Sequence, residues 1–330
     1  MTESKATGIG LLSGGLDSIL AVKVLQEQDL RLLGVTFSTP FFSGQPGIDA
    51  GRAAGIEVQV IDLTDKHLAM LRNPVYGFGS QMNPCIDCHA LMLREAGQLM
   101  EQMKADFLFT GEVLGQRPMS QRRDSLRSVE KLSGYPGRIL RPLSARLLPP
   151  TLVENEGKVD RERLLDINGR SRKRQIELAR HYGIKVYPQP GGGCMLTKEG
   201  FARKLRELFT LYPDAGAREI ELLKWGRHLL LPGGVFLAVG RQQTDNERLG
   251  SLAGPEEVVL RVLDHPGPLG VLLHLTPETE ALSLAAKVVV SYSDAPLEGA
   301  VRVEWKHAGK TGMVTEANNL RKEEMKQYLL

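Results

Sequence analysis

Ser13-Gly14-Gly15-Leu16-Asp17-Ser18 follows a short apolar run at 9–12 and opens a helix-patterned stretch from about 16 to 26. A glycine-rich turn between a strand and a helix is a phosphate cradle. Gly14 and Gly15 can take backbone angles that aim successive N–H groups at one point, and their missing side chains let a phosphate approach. The helix behind the turn adds unpaired N–H groups and the positive end of its dipole. Ser13 and Ser18 supply hydroxyls, and Asp17 can hold Mg²⁺ against the phosphates. An ordinary serine-capped βα turn shares some of these residues, but the clustering of Ser, Gly, Gly, Asp and Ser favours the cradle. No Gly-x-x-x-x-Gly-Lys is present, so no P-loop lysine reaches the γ-phosphate, and the spacing is not the Gly-x-Gly-x-x-Gly of a dinucleotide site.

Outward from this turn, strand-like runs at 9–12, 32–37, 58–61 and 107–109 alternate with helical stretches at 19–27 and 91–104. Such alternation predicts an α/β fold, a doubly wound parallel sheet with ligands at the carboxyl ends of its strands. Segments 38–42 and 110–116 fall at the same ends as the glycine turn. Residues 135–160 are irregular, with Pro142, Pro149 and Pro150. A basic helix is expected over 161–182, a turn-rich stretch over 188–197 and a further helix over 198–209. Beyond about residue 227, strands are expected at 229–231, 235–239, 258–262, 288–292 and 301–306, a smaller α+β module with its own core. The expected domains are 1–210 and 211–330.

A chain of 330 residues with 42% hydrophobic content suggests two or three compact units. No apolar stretch reaches membrane-spanning length and the first residues lack the apolar middle of a signal peptide. The expectation is therefore a cytoplasmic protein with no membrane partner. A net charge of +3 says little by itself, but Arg117, Arg122, Arg123 and Arg127 crowd one stretch and Arg170, Arg172, Lys173 and Arg174 another. Each reads either as a solvated helix face or as phosphate contacts to RNA or ATP. His67, His181, His228 and His265 have no motif around them and read as ordinary surface or core residues.

The three cysteines are an odd number and cannot all pair as disulfides. Cys85-Ile86-Asp87-Cys88 follows Asn83-Pro84 just before a helix, and Cys194 follows Gly191-Gly192-Gly193. Thiolates near a helix N-terminus are favoured as anions, which suits metal binding or nucleophilic attack. One reading is a 4Fe–4S cluster held by Cys85, Cys88 and Cys194 with one iron open. A second is persulfide chemistry, with one cysteine carrying sulfane sulfur and another resolving it. A zinc site with His89 or another residue as fourth ligand is less favoured, as are buried inert thiols. Cys-x-x-Cys-His also spells haem attachment, which needs export. Cluster and persulfide both point to sulfur delivery.

The glycine turn resembles the PP-loop, SGGxDS, of ATP pyrophosphatases. In that family the loop binds the β,γ-pyrophosphate while an oxygen of the substrate is adenylated. Thr110-Gly111-Glu112-Val113-Leu114-Gly115-Gln116 with Ser120-Gln121 is similar to the TGExxGQxxSQ segment of ThiI-type tRNA 4-thiouridine synthetases. Arg141-Pro142-Leu143 is similar to their RPL, and 37–42 to the segment after their second strand. Asn83-Pro84-Cys85-x-x-Cys88 resembles the NPCxxC of 2-thiouridylases. The distant third cysteine resembles cluster-dependent tRNA thiolases.

The resemblance covers 8 to about 200. It implies ATP on Ser13, Gly14, Gly15, Asp17 and Ser18, adenine near Phe37 and Gly111, and Gln116 in the nucleotide site. It further implies Asp17, Cys88 and Cys194 as catalytic residues, Mg²⁺, and as partners tRNA and a sulfur donor, free sulfide or a cysteine desulfurase. The implied reaction is ATP-dependent thiolation of a tRNA uridine, to 4-thiouridine at position 8. Alternatives are 2-thiouridylation of a wobble uridine, an ATP-independent cluster-bearing desulfidase, or a non-catalytic RNA-binding adaptor. Arg117-Pro118-Met119 makes the spacing to Ser120 one residue longer than in the family. The family's N-terminal ferredoxin-like and THUMP domains and a rhodanese domain are not expected here.

In the tail, Val239-Gly240-Arg241 and Asn246-Glu247-Arg248-Leu249 resemble the VGRNxxxNDxL core of the NFACT-R RNA-binding domain. Ser291-Tyr292-Ser293 resembles its Arg-Tyr-Ser segment, with serine for arginine. The alternative is a β-rich oligomerisation module, which would imply a homodimer.

Overall fold

The computed structural model describes residues 5–187, 194–273, 280–296 and 298–330. The chain divides into two compact units, Met1–Leu196 and Thr197–Leu330. The glycine run at 191–193 and most of the turn-rich stretch expected at 188–197 lie outside the described residues.

The first unit is built on five parallel strands: β1 (Thr7–Leu11), β2 (Arg31–Ser38), β3 (Val58–Asp62), β4 (Phe107–Thr110) and β5 (Ile139–Leu140). Their order in the sheet is β3-β2-β1-β4-β5, so the connections reverse direction between β1 and β4. In such sheets the crevice at that reversal takes the ligand. Five helices frame the sheet: α1 (Leu16–Gln26), α2 (Gln45–Ala54), α3 (Thr64–Arg72), α4 (Cys85–Gln102) and α5 (Arg123–Ser133). β4 shows why a parallel strand is apolar throughout. Phe107 and Phe109 pack with Leu20, Leu25 and Leu140 in one core, while Leu108 joins Ile9, Val35, Leu93 and Met100 in another. Side chains alternate across the strand and both faces are covered.

The expected basic helix over 161–182 forms only as Lys173–His181, after a 3-10 turn at Arg161–Arg163. Gly169 interrupts it, with φ +78 and its N–H donating to the Leu114 carbonyl at 2.8 Å. That left-handed residue ends regular helix and ties the segment to the loop after β4.

The second unit carries a six-stranded antiparallel sheet: β6 (Arg227–Leu231), β7 (Val235–Val239), β8 (Val258–Val262), β9 (Leu269–Leu272), β10 (Val301–His307) and β11 (Lys310–Ala317). The order is β11-β10-β8-β9-β7-β6. Residues 288–292, expected as a strand, lie instead in or just beyond the helix Glu280–Ser291. Val288, Val289 and Val290 are fully buried there in the core formed with the sheet residues Leu237, Leu260 and Val303. A β-branched run favours strand by propensity, but burial on successive positions suits a helix enclosed in a core. The helix Glu199–Leu211 belongs to this unit, so the division falls ahead of it rather than after residue 210. Just past it, the Tyr212 hydroxyl donates to the Leu273 carbonyl at 3.3 Å. Among the described residues no helix is long and apolar enough to cross a membrane.

Candidate functional site

The register Leu11↔Thr110 sets the ends of β1 and β4 side by side, so the glycine turn and the 110–116 segment leave the sheet together. Gly14 takes φ +85, and a Cβ there would meet the Pro46 Cβ at 2.4 Å. Only glycine suits both the angle and the space. Gly15 is the N-cap of α1 in extended conformation, with no side-chain cap. Ser18 Oγ donates to the Gly15 carbonyl at 2.7 Å, and Ser13 Oγ accepts from the Gly15 N–H at 3.4 Å. Gly111 presses on the start of α1. A Cβ at that position would lie 2.5 Å from the carbonyl carbon of Asp17 and from the amide nitrogen of Ser18. The loop and Gly111 thus form one close-packed main-chain surface.

Asp17 is the charged centre of this edge. Its Oδ2 accepts from Gln116 Nε2 at 2.6 Å, and Gln116 Oε1 accepts in turn from Gln175 Nε2 at 2.8 Å. Arg172 Nη2 stands 4.0 Å from Asp17 Oδ1. Burial pushes the Asp17 carboxyl above its ordinary range, while the Gln116 hydrogen bond and the charges of Arg172 and Arg117 hold it back. Each basic cluster of the sequence therefore sends one arginine toward the loop carboxylate. Asp17 Oδ1, Arg172 Nε and Gln175 Oε1 are buried without a hydrogen-bond partner. Unpaired acceptors beside unpaired donors suit a Mg²⁺–phosphate group, whose cation and oxygens would satisfy both. Gln175, fully buried at the centre, carries no sequence signal, and Arg172 is visible only as one of a charge run. Phe37 lies in the core with Ile9, Val35 and Leu63, so its ring is enclosed rather than offered to a ligand.

Behind this edge, Glu112 joins three sequence segments. Its carboxylate accepts from Arg141 Nε at 3.0 Å and from Thr110 Oγ1 at 3.1 Å, and pairs with His89 Nδ1 at 3.0 Å. Burial alone would raise its carboxyl, yet the Arg141 charge and the His89 contact hold it at about 2. Arg141 is itself buried and also pairs with Glu130. The Arg-Pro-Leu segment, the Thr-Gly-Glu segment and the helix of the cysteines are thus locked by one ionic cluster. Ser120 and Gln121 are buried, and a turn closed by Gly115 N–H donating to the Gln121 carbonyl at 2.7 Å takes up the extra residue.

Cys85 and Cys88 occupy the first turn of α4. Asn83 Nδ2 donates to Cys85 Sγ at 3.3 Å, and Cys88 Sγ lies 3.4 Å from His67 Nε2. Burial pushes the Cys88 thiol far up, and the charges of Cys194, Cys85 and Asp87 push the same way. Burial also raises Cys194, with Cys85 adding to the effect. The fold therefore brings Cys194 into electrostatic range of the other two across more than a hundred residues of chain. Among the described residues no group of three or more His, Cys, Asp or Glu side chains is arranged to hold a metal ion. The donor chemistry, three soft half-buried thiols, nonetheless fits an iron–sulfur cluster or sulfane sulfur better than a hard cation.

His67, expected as an ordinary surface or core residue, is a core residue. It is fully buried between Phe41 and Phe42, at ring distances of 5.3 and 5.7 Å, and faces Cys88. Burial lowers it to about 4, so it is neutral near pH 7. Nothing in its local sequence marks it; only the Thr-Pro-Phe-Phe run that encloses it does.

In the second unit, buried Asp245 accepts from the Arg241 amide at 3.1 Å and its Nε at 3.0 Å, and Asn246 Oδ1 accepts from the Leu269 N–H at 3.0 Å. Arg227 of β6 covers the Tyr292 ring at 4.5 Å.

Fold and site define a doubly wound α/β unit with a glycine-rich turn at the start of its first helix, joined in one chain to an antiparallel-sheet unit. Residues 226–329 match the family model of the NFACT protein RNA binding domain. A curated relative from Lysinibacillus sphaericus (strain C3-41), a probable tRNA sulfurtransferase, is 28% identical over 149 residues. That match covers 42% of this chain and 35% of the relative, so the chain spans about a third of the relative's length. A crystal structure of a 4-thiouridine synthetase–RNA complex with bound ATP aligns at TM-score 0.41 and 22% identity, over 66% of this chain and 52% of that one. The C-terminal part of the fibronectin/fibrinogen-binding protein from Streptococcus suis aligns at TM-score 0.29 and 14% identity, over 80% of this chain and all of that one.

Proposed function

We propose that this protein is a cytoplasmic enzyme that thiolates a uridine of tRNA at the expense of ATP, forming 4-thiouridine at position 8. The observation that carries this reading is the presence, in one parallel-sheet unit, of the Ser13–Ser18 glycine turn at the start of α1 and of three free cysteines, two of them in the first turn of α4. The name of the curated relative and the RNA-binding family match support tRNA as the substrate.

ATP would rest its β- and γ-phosphates on the loop amides, the Ser13 and Ser18 hydroxyls and the N-terminus of α1. Asp17 would hold Mg²⁺, with Arg172 and Arg117 at hand for phosphate charge. The uridine O4 attacks the α-phosphate and pyrophosphate leaves. The loop donors stabilise the charge that develops on the phosphate oxygens. A sulfur nucleophile derived from sulfide or a cysteine desulfurase then attacks C4, and AMP departs with the former O4. Cys85, Cys88 and Cys194 would hold a 4Fe–4S cluster, whose open iron supplies a binding place for sulfide. Without the cluster, the persulfide of a cysteine desulfurase would pass its sulfane sulfur to Cys88 or Cys194. The terminal sulfur would attack C4 as AMP leaves, and a second cysteine would cleave the resulting S–S bond, releasing the thiouridine and leaving a Cys–Cys disulfide for an external thiol to reduce. The ionic cluster of Glu112, Arg141 and His89 would keep the cysteine helix fixed beside the segment that follows β4 and begins with Gly111.

The test is mass spectrometry of nucleosides from tRNA incubated with anaerobically reconstituted protein, sulfide and ATP. ATP-dependent 4-thiouridine is the expected product; 2-thiouridine would assign the wobble reaction instead. Asp17→Ala should abolish adenylation and thiolation together, and Cys194→Ala should abolish thiolation while ATP consumption persists. Full thiolation by Cys194→Ala would refute the role given to the cysteines.

A further inference from the structure

The first unit contains a cavity of about 240 Å³ between α5, the end of β5 and the segment at 145–154. That is below the usual range of about 300–1,000 Å³ for drug-sized ligands, and suits something the size of one nucleotide. Leu126, Ile139, Leu148, Pro149 and Pro150 give it apolar walls. Arg141 also lines it, 3% exposed. Two of its guanidinium nitrogens, Nε and Nη1, serve Glu112 and Glu130, and the third, Nη2, is buried without any acceptor. A buried N–H left unpaired is costly, which argues that something accepts from it.

Arg123 and Arg127 stand four residues apart on α5, both exposed and both lining the cavity. Arg123 donates to the Leu147 carbonyl at 3.0 Å, and among the described residues neither arginine has a carboxylate partner. The carboxylates in the wall are already engaged, Glu130 by Arg141 and Glu154 by Arg161. The cavity therefore offers two uncompensated guanidinium groups, an apolar slot and one buried donor. None of its lining residues belongs to the 13–18 loop.

We propose that this cavity is a second nucleotide site. The phosphate sits on Arg123 and Arg127, the base lies against the aliphatic and proline wall, and a ring carbonyl accepts from Arg141 Nη2. Guanidinium pairs favour phosphate, and a flat base suits a narrow apolar slot. A carbonyl-bearing base such as uracil meets the requirement of Arg141, whereas adenine has no ring carbonyl. A free mononucleotide and one residue of an RNA strand offer the same chemistry. The site does not depend on the thiolation reading.

The test is calorimetric titration of the full-length protein with uridine monophosphate, adenosine monophosphate, inorganic phosphate and a short oligouridylate. Saturable binding of uridine monophosphate is expected, at least tenfold tighter than that of adenosine monophosphate or phosphate. The double variant Arg123→Glu/Arg127→Glu, folded by circular dichroism, should weaken it tenfold or more. Asp17→Ala should leave it unchanged, since that residue serves the other site. Tighter binding of oligouridylate than of the mononucleotide would identify the source as RNA, and the reverse a free nucleotide. The proposal fails if neither uridine ligand saturates at millimolar concentration, if the double charge reversal leaves binding unaltered, or if Asp17→Ala abolishes it.

Discussion

Replacing Glu112 by Gln keeps the shape of the side chain and removes the charge that Arg141 and His89 share. The wild-type carboxyl is held at about 2 against an ordinary 4.5. At about 1.4 kcal/mol per pH unit, that gap corresponds to about 3 kcal/mol of stability at neutral pH. Loss of one partner from a buried ion pair gives a similar figure, about 3–5 kcal/mol, with the lower end expected because Arg141 keeps Glu130. The pH window follows from the direction of the shift. A carboxyl depressed by folding stabilises above its unfolded value, and that stability drains away as pH falls from about 4.5 toward 2. Glu112→Gln should therefore be about 3 kcal/mol less stable at pH 7 and should show a flatter acid limb.

The assay must separate the two units, and the sequence supplies the means. Both tryptophans, Trp225 and Trp305, lie in the second unit. Their fluorescence in a urea titration reports that unit alone and should not move. Hydrogen exchange of β4 and α4 reports the first unit and should show the loss. Unchanged protection in β4 and α4 at pH 7, with the wild-type acid limb retained, would refute the clamp assigned to Glu112.

Gly111→Ala would drive a Cβ to 2.5 Å from the main chain of α1, and overpacking of this kind costs about 1–3 kcal/mol. ATP affinity by calorimetry should fall about tenfold or more, since 1.4 kcal/mol is a factor of ten. Arg218→Ala strips the fully buried Glu257 carboxylate of its guanidinium partner, and the urea midpoint read by tryptophan fluorescence should fall by the equivalent of about 3 kcal/mol. With the thiols reduced and no metal present, Cys88 should react with iodoacetamide far more slowly than an unhindered thiol at pH 8, because burial raises it. Peptide mapping by mass spectrometry measures the rate. Rapid labelling of Cys88 would contradict the raised thiol.

The alternation of apolar runs with helical patterning determined the first unit before any coordinates. A parallel sheet covered on both faces needs strands that are apolar throughout, and β1, β2 and β4 are nearly so. The glycine turn between strand and helix was equally legible, because a turn's backbone angles depend on neighbours in sequence. Local chemistry is written locally. Residues 288–292 show the limit of that rule: three valines in a row carry a strand's propensity, and only the core of the second unit makes them helix.

Tertiary structure alone decided which distant groups meet. Gln175 reaches Asp17 through Gln116, His67 faces Cys88, and Glu112 gathers Arg141 and His89. Arg227 finds Tyr292 although 64 positions of sequence separate them. No spacing rule encodes such pairs, since each is set by strand order and helix placement rather than by chain neighbours. Burial then fixes their charges: Asp17 is raised, Glu112 is held down and His67 is kept neutral. A sequence specifies which residues can carry a charge, but whether they do depends on how much water the fold leaves around them.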